Sequence, residues 1–231
     1  MTSDAPRFSG FKPEAIHFLL ELSVNNDRTW FQPRKQEYEQ LLKEPLEALC
    51  NALADELAAR RIPLQADPAR SPFRIYRDVR FSKDKSPYKT HVSASFPWRS
   101  GAEGVPAHGI GGYFHFQPDE YYVGGGMWHP ERPRLEAWRA LIGSDPAMVH
   151  GAIDDPAFVA AFGAVEGEQL VRVPTGWPSD HPEADLLRLK DVTFGRGLTE
   201  DEALSPKLPV ILADAFAAAR PVMELLAGLP A

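Results

Sequence analysis

The stretch from Arg70 to His91, RSPFRIYRDVRFSKDKSPYKTH, holds seven Lys or Arg against two Asp, a local charge of +5 in a chain whose net charge is −7. The remainder therefore carries −12, so this stretch is where an anion would be met. A guanidinium stays charged and grips carboxylate or phosphate in bidentate geometry, whereas lysines on a loop meet an anion as point charges. On that chemistry Arg74, Arg77 and Arg80 would hold a small anionic ligand, and Lys83, Lys85, Lys89 and the Tyr88 hydroxyl would close over it. Asp78 and His115 are groups able to move a proton beside it. Ser82 lacks the context of a nucleophile elbow. In the later run GGGMWHP, the glycines Gly124, Gly125 and Gly126 either make a tight turn or bulge, or expose amides as an anion nest beside His129. There is no phosphate-loop or dinucleotide fingerprint, no H-E-x-x-H and no cysteine pair, so a metal site is not expected. Which cofactor is used, and whether the protein is an enzyme, stay open.

These groups need elements to position them. Phe73, Ile75, Val79 and Phe81 alternate with Arg74, Tyr76, Asp78 and Arg80, which predicts a strand near 73–81 with Arg77 on its apolar side. There Arg77 would need a partner, either an acid from a helix or a bound anion. Similar alternation predicts strands near 91–98 and 110–117, and the short QPD turn reads as a hairpin connection to a further strand near 120–126, in an antiparallel meander. His91, Ser93, Ser95, Tyr113 and His115 then share a face with Arg74, Tyr76, Asp78 and Arg80, either as a binding surface or as the polar outside of a one-sided sheet.

Around the sheet the apolar period is 3.6. Helices are expected from Pro13 to about Val24, from Trp30 or Pro33 to about Arg60, from Pro133 to Ile142 and from Leu208 to Leu226, the last bent or ended early by Pro221. Asp145-Pro146 and the Thr199/Glu202 pair read as helix starts, and residues 168–173 and 190–196 as short strands. Asn25 and Asn26 lie at a helix end, where they would cap it or reach a ligand. Cys50 falls in the apolar stripe Leu42, Leu46, Leu49, Leu53, Leu57, as a buried thiol. The expected architecture is one α+β domain over 1–231, with residues 1–10 flexible.

One cysteine in 231 residues, no basic leader followed by an apolar run, and no uncharged apolar stretch of spanning length imply a cytoplasmic protein without membrane contact. The acidic balance disfavours broad nucleic-acid affinity.

The segments FLLELSVNNDRTWFQPRKQEYE, FRIYRDVRFSKDKSPYKTH and YYVGGGMWHP, in this order, resemble domain-of-unknown-function family 2461 of bacterial and fungal proteins, across about residues 11–226. The resemblance implies no activity, catalytic residue or cofactor. The functional expectation therefore rests on the residues: a basic pocket for a phosphate- or carboxylate-bearing small molecule. The alternative is a nucleic-acid-binding or protein-interaction module using residues 70–91, with Tyr76, Tyr88 and Trp98 as stacking groups.

Overall fold

The computed structural model describes residues 7–100 and 105–230. The chain opens with α1 (Pro13–Val24), its proline in the first turn, followed by α2 (Arg28–Phe31), which the Asp27 side chain caps by accepting from the Trp30 amide. A 3₁₀ turn at Gln32–Arg34, α3 (Lys35–Tyr38) and a π turn at Glu39–Lys43 lead into α4 (Glu44–Ala59). The expected long helix is thus real but wound unevenly, and Pro45 opens its last section rather than kinking it. Leu42, Leu46, Leu49, Cys50, Leu53 and Leu57 are all buried. Burial pushes the Cys50 thiol up to about 12, which leaves it an inert packing group.

Four antiparallel strands follow in the order β1 (Val92–Ser100), β2 (Val105–Gln117), β3 (Glu120–Met127) and β4 (Val192–Leu198). Between β3 and β4 lie α5 (Arg132–Ser144), α6 (Pro146–Ile153), α7 (Pro156–Phe162) and α8 (Ala184–Arg188). After β4 come α9 (Glu200–Leu204), α10 (Leu208–Ala218) and α11 (Arg220–Ala227). Thr199 and Glu202 form the anticipated capping box, and Pro221 sits in the first turn of α11, where the predicted last helix divides in two. No helix among the described residues is long and apolar enough to cross a membrane.

The fold is α+β, with an antiparallel meander between N- and C-terminal helices, but its fourth strand is β4 and not residues 73–81. That segment pairs with β1 through only two backbone bonds, Phe73 N–H to Ser93 O and Ser95 N–H to Ser71 O. It then leaves the sheet and pairs with its own return leg through Lys89 N–H to Ile75 O and Arg77 N–H to Pro87 O. Pro87 carries no N–H with which to return a bond to Arg77, so the pairing of the two legs stops there. Of the alternating apolar set only Ile75 is buried, while Phe81 is 95% exposed. Residues 168–173 likewise form no strand and touch the β4 side through an isolated Gln169–Leu189 bridge. Within the tail expected to be flexible, residues 1–6 lie outside the described residues and Phe8 is buried against Phe11.

One face of the sheet makes the core. Phe96, Phe114, Phe116, Val123 and Phe194 are fully buried there beneath α4, α7, α10 and α11. The other face carries an unusual share of glycine. Registers align Ser95, Tyr113, Gly124 and Gly195 in one row, and Pro97, Gly111, Gly126 and Thr193 in the next. At Gly195 a Cβ would lie 1.7 Å from the Tyr122 hydroxyl, because that ring lies flat on the backbone. Gly126 has φ +116°, and a Cβ there would stand 2.3 Å from the Val192 carbonyl oxygen.

Gly126→Ala is therefore expected to cost on the order of 1–3 kcal/mol of backbone strain, before any clash is relieved. For a chain of this size that lowers Tm by roughly 3–10 °C in a calorimetric scan. Gly151, with open space around it in α6, is the control: Gly151→Ala should leave Tm unchanged or raise it slightly.

Candidate functional site

Above the glycine rows lies a cleft of about 760 Å³. Its floor is the backbone of Gly109, Gly111, Gly125 and Gly126 with Ser95, Pro97 and Thr193. Its walls are Phe73, Tyr113, Tyr122, Trp128 and Glu166. The walls come from chain that pairs with the two sheet edges. Phe73 belongs to the segment bonded to β1, and Glu166 exchanges two backbone bonds with Thr193 of β4, at 2.7 and 2.8 Å. Such edge cover also blocks pairing with another chain. The Tyr122 hydroxyl donates to the Phe194 carbonyl at 3.2 Å, which holds its ring flat with one face toward the cleft. Burial, with the negative charge of Glu166 second, pushes that phenol up to about 12. Trp128 is exposed and packs beside His129, 4.4 Å between ring centres.

The Phe73 wall gathers titratable groups. The Lys89 ammonium stands 5.0 Å from the centre of the Phe73 ring, a cation–π contact. Burial, and then the nearby Arg74 charge, lower its pKa. No carboxylate lies within ion-pair distance of Lys89 or Arg74 among the described residues. Tyr113 packs on Phe73, and its hydroxyl is 3.0 Å from Nδ1 of His115. His91 stacks on His115 with ring centres 4.4 Å apart. Desolvation, the neighbouring His115 and Lys89 depress His91 to about 4, and burial also lowers His115, so both imidazoles are neutral at pH 7. Nε2 of His115 is buried with no hydrogen-bond partner, a loss on the order of 1–3 kcal/mol if nothing else fills it.

The residues nominated for anion binding do not meet in one place. Arg77 pairs with Asp84 of its own loop, not with a helix acid, and Ser86 and Arg77 together hold Asp84 well below the usual carboxylate range. Arg80 forks onto Asp78, with 2.6 Å for the closest contact. Asp78 is thereby lowered and fully ionised, out on an exposed loop and away from the cleft. Lys85 donates to the Val79 carbonyl, and Lys83 is exposed. Tyr88 is buried, stacked on Phe31 at 4.0 Å; Trp98 is buried too, so only Tyr76 of the three expected stacking residues reaches solvent. Gly124 lies under the Tyr122 ring and Gly125 faces Phe194, while only Gly125 and Gly126 touch the cleft. His129 adopts φ +45° and its amide donates to the buried Asp191 carboxylate at 2.7 Å. Asn26 does not face a ligand: its side-chain amide donates to the Tyr88 carbonyl and accepts from the Tyr88 amide, both at 3.0 Å.

What the cleft can do follows from this placement. It offers flat apolar surfaces over a bare backbone floor, two cations without acidic partners beside one wall, and a carboxylate at the other. Period-2 alternation placed Tyr113 and His115 on the open face, but nothing local marked Phe73, Tyr122 or Glu166, whose positions depend on strand register and on distant edge segments. Among the described residues no three His, Cys, Asp or Glu side chains are grouped to hold a metal ion.

A depressed histidine has a definite effect on stability. Between pH 6.5 and 4 the unfolded chain takes up a proton on His91 that the folded chain refuses, so this contribution is complete above 6.5 and lost as pH falls toward 4. Urea midpoints measured at pH 7 and pH 4.5 should differ less for His91→Asn than for the parent protein, and an equal difference would remove His91 from the account.

A comparison with curated proteins finds no match, and neither does one with solved structures. A family profile matches residues 14–225, nearly the whole chain, and on that match the protein belongs to the family of conserved hypothetical proteins DUF2461.

Proposed function

We propose that the protein binds a small molecule with a flat apolar body and an anionic end in the cleft on the open face of the sheet. The observation that carries this reading is Lys89, a half-buried ammonium seated on Phe73, with Arg74 nearby and no carboxylate within ion-pair distance of it among the described residues. An unpaired cation is costly where water is scarce, and a ligand carboxylate or phosphate would supply what the protein does not. The rings of Phe73, Tyr113, Tyr122 and Trp128 account for the apolar body, as in ligand sites generally, where apolar walls give affinity and a few polar groups fix orientation. This narrows the expected anion site to Lys89 and Arg74, since Arg77 and Arg80 are committed to Asp84 and Asp78. A polar ligand group against Tyr113 would meet a Tyr113–His115 pair able to pass a proton.

Calorimetric titration with biphenyl-4-carboxylate and its neutral analogue biphenyl-4-methanol tests the reading. The carboxylate should bind more tightly, Lys89→Met should remove about tenfold of its affinity, equivalent to about 1.4 kcal/mol, and Phe73→Ala should weaken both probes. Equal binding of the carboxylate by the parent and Lys89→Met would overturn the assignment of the anion end.

A second reading is favoured by the loop tip, where Phe81 stands in solvent between Arg80 and Lys83: contact with a polyanionic macromolecule through residues 70–91. Affinity for a single-stranded oligonucleotide falling steeply between 50 and 200 mM salt, and lost on reversing Lys83 and Lys85, would support it. A flat salt response would dismiss it.

A further inference from the structure

We infer that the ligand is a zwitterion, carrying an ammonium or similar cationic group at the end of its apolar body opposite the anion, with Glu166 as the partner of that group. The inference rests on the cleft reading above and concerns what distinguishes its two ends. Lys89 and Arg74 lie at the β1 edge and Glu166 at the β4 edge, so the cleft is charged oppositely across its length. Five inter-strand steps separate the backbones of the two walls, roughly 24 Å, which leaves about half that once side chains reach inward, enough for two rings and a short arm.

Glu166 is held for this role. Its backbone is fixed by the paired bonds with Thr193, and the Thr193 hydroxyl donates to its carbonyl at 3.0 Å, so the wall cannot easily move away. The neighbouring cation, Lys190, is taken by Glu168 at 3.0 Å. No Lys, Arg or His lies within ion-pair distance of Glu166 among the described residues. Tyr122 does not compensate, since its hydroxyl is spent on the Phe194 carbonyl. The carboxylate nonetheless acts on the cleft, because its charge contributes to the raised phenol of Tyr122. An acid unpaired at one end and cations unpaired at the other are complementary to one molecule that bears both charges.

The test compares three probes on one scaffold by calorimetric titration against the full chain: biphenyl-4-carboxylate, 4′-(aminomethyl)biphenyl-4-carboxylate and biphenyl-4,4′-dicarboxylate. The aminomethyl compound should bind five- to tenfold more tightly than the parent carboxylate, and Glu166→Gln should erase that advantage without weakening the parent probe. Glu166→Lys should reverse the preference, making the dicarboxylate the tightest of the three. Because Glu166 is exposed, both variants should keep the parental Tm, which is measured alongside. If biphenyl-4-carboxylate binds and the ammonium adds nothing, or if its advantage survives in Glu166→Gln, the zwitterion inference fails while the cleft reading stands. If none of the three binds, both fail.

Discussion

Side chains are excluded from the middle of the open sheet face, and most of what is distinctive in this molecule follows from that exclusion. A Cβ at Gly111 would stand 2.6 Å from the Phe96 carbonyl oxygen, one at Gly124 would stand 2.4 Å from that of Phe194, and one at Gly195 would enter the Tyr122 ring. Neighbours this close tolerate only glycine at these positions, and part of the bare backbone is then covered by an aromatic ring lying flat, a known means of stabilising glycine in sheets. Tyr122 does this on the open side. On the core side, Phe216 and Phe194 lie against Gly112 and Gly125. The cleft is the part of the open face that no ring covers among the described residues.

The cleft also needs walls, and these depend on contacts far apart in the chain. Asn26, just past the end of α1, clamps both backbone groups of Tyr88, and Tyr88 stacks on Phe31 of α2. A stacked pair of this kind contributes about 1 kcal/mol beyond its burial. The clamp fixes the return leg of the basic segment, which fixes Lys89, and through the bond from Lys89 N–H to Ile75 O the position of the leg carrying Phe73. The asparagine-rich break after the first helix and the basic stretch sixty residues later are thus two halves of one device, which explains why both are distinctive in a chain that otherwise reads as ordinary helices and strands.

This coupling also marks how far the sequence could be read. Helix starts were legible because caps are local: Asp145, Thr199 with Glu202, and the first-turn prolines each act within four residues. β1 and β2 were legible because alternation survives wherever one face is buried, and β3 because the QPD turn returns the chain. Residues 73–81 alternate equally well and are not a sheet strand, because alternation records which side chains avoid water but not which backbone groups find partners, and after Phe73 those partners lie on the segment's own return leg. The destinies of the arginines were illegible for a similar reason. A charge count cannot tell Arg77, which finds Asp84 seven residues on, from Arg74, which makes no close ion pair among the described residues. Gly124 to Gly126 were visible as an anomaly, yet their reason lies in β4 and in Tyr122, which only register brings together.

The basic segment therefore divides by environment more than by residue type. Its exposed loop pairs both of its acids internally, Asp84 with Arg77 and Asp78 with Arg80, leaving the charges of Lys83 and Lys85, and surface pairs of that sort add little to stability. Its buried leg does the opposite. Lys89, His91 and His115 crowd one wall where burial outweighs the charge of Glu120 acting on His115, and the protein answers by keeping both imidazoles neutral and the ammonium less basic than in water. A carboxylate or an apolar side chain beside Lys89 would relieve that strain on the wall, since a half-buried cation without a close acid is costly and the depressed His91 adds its own loss as pH falls below 6.5. That perturbed cation beside an open aromatic cleft is the combination on which the proposed ligand site rests.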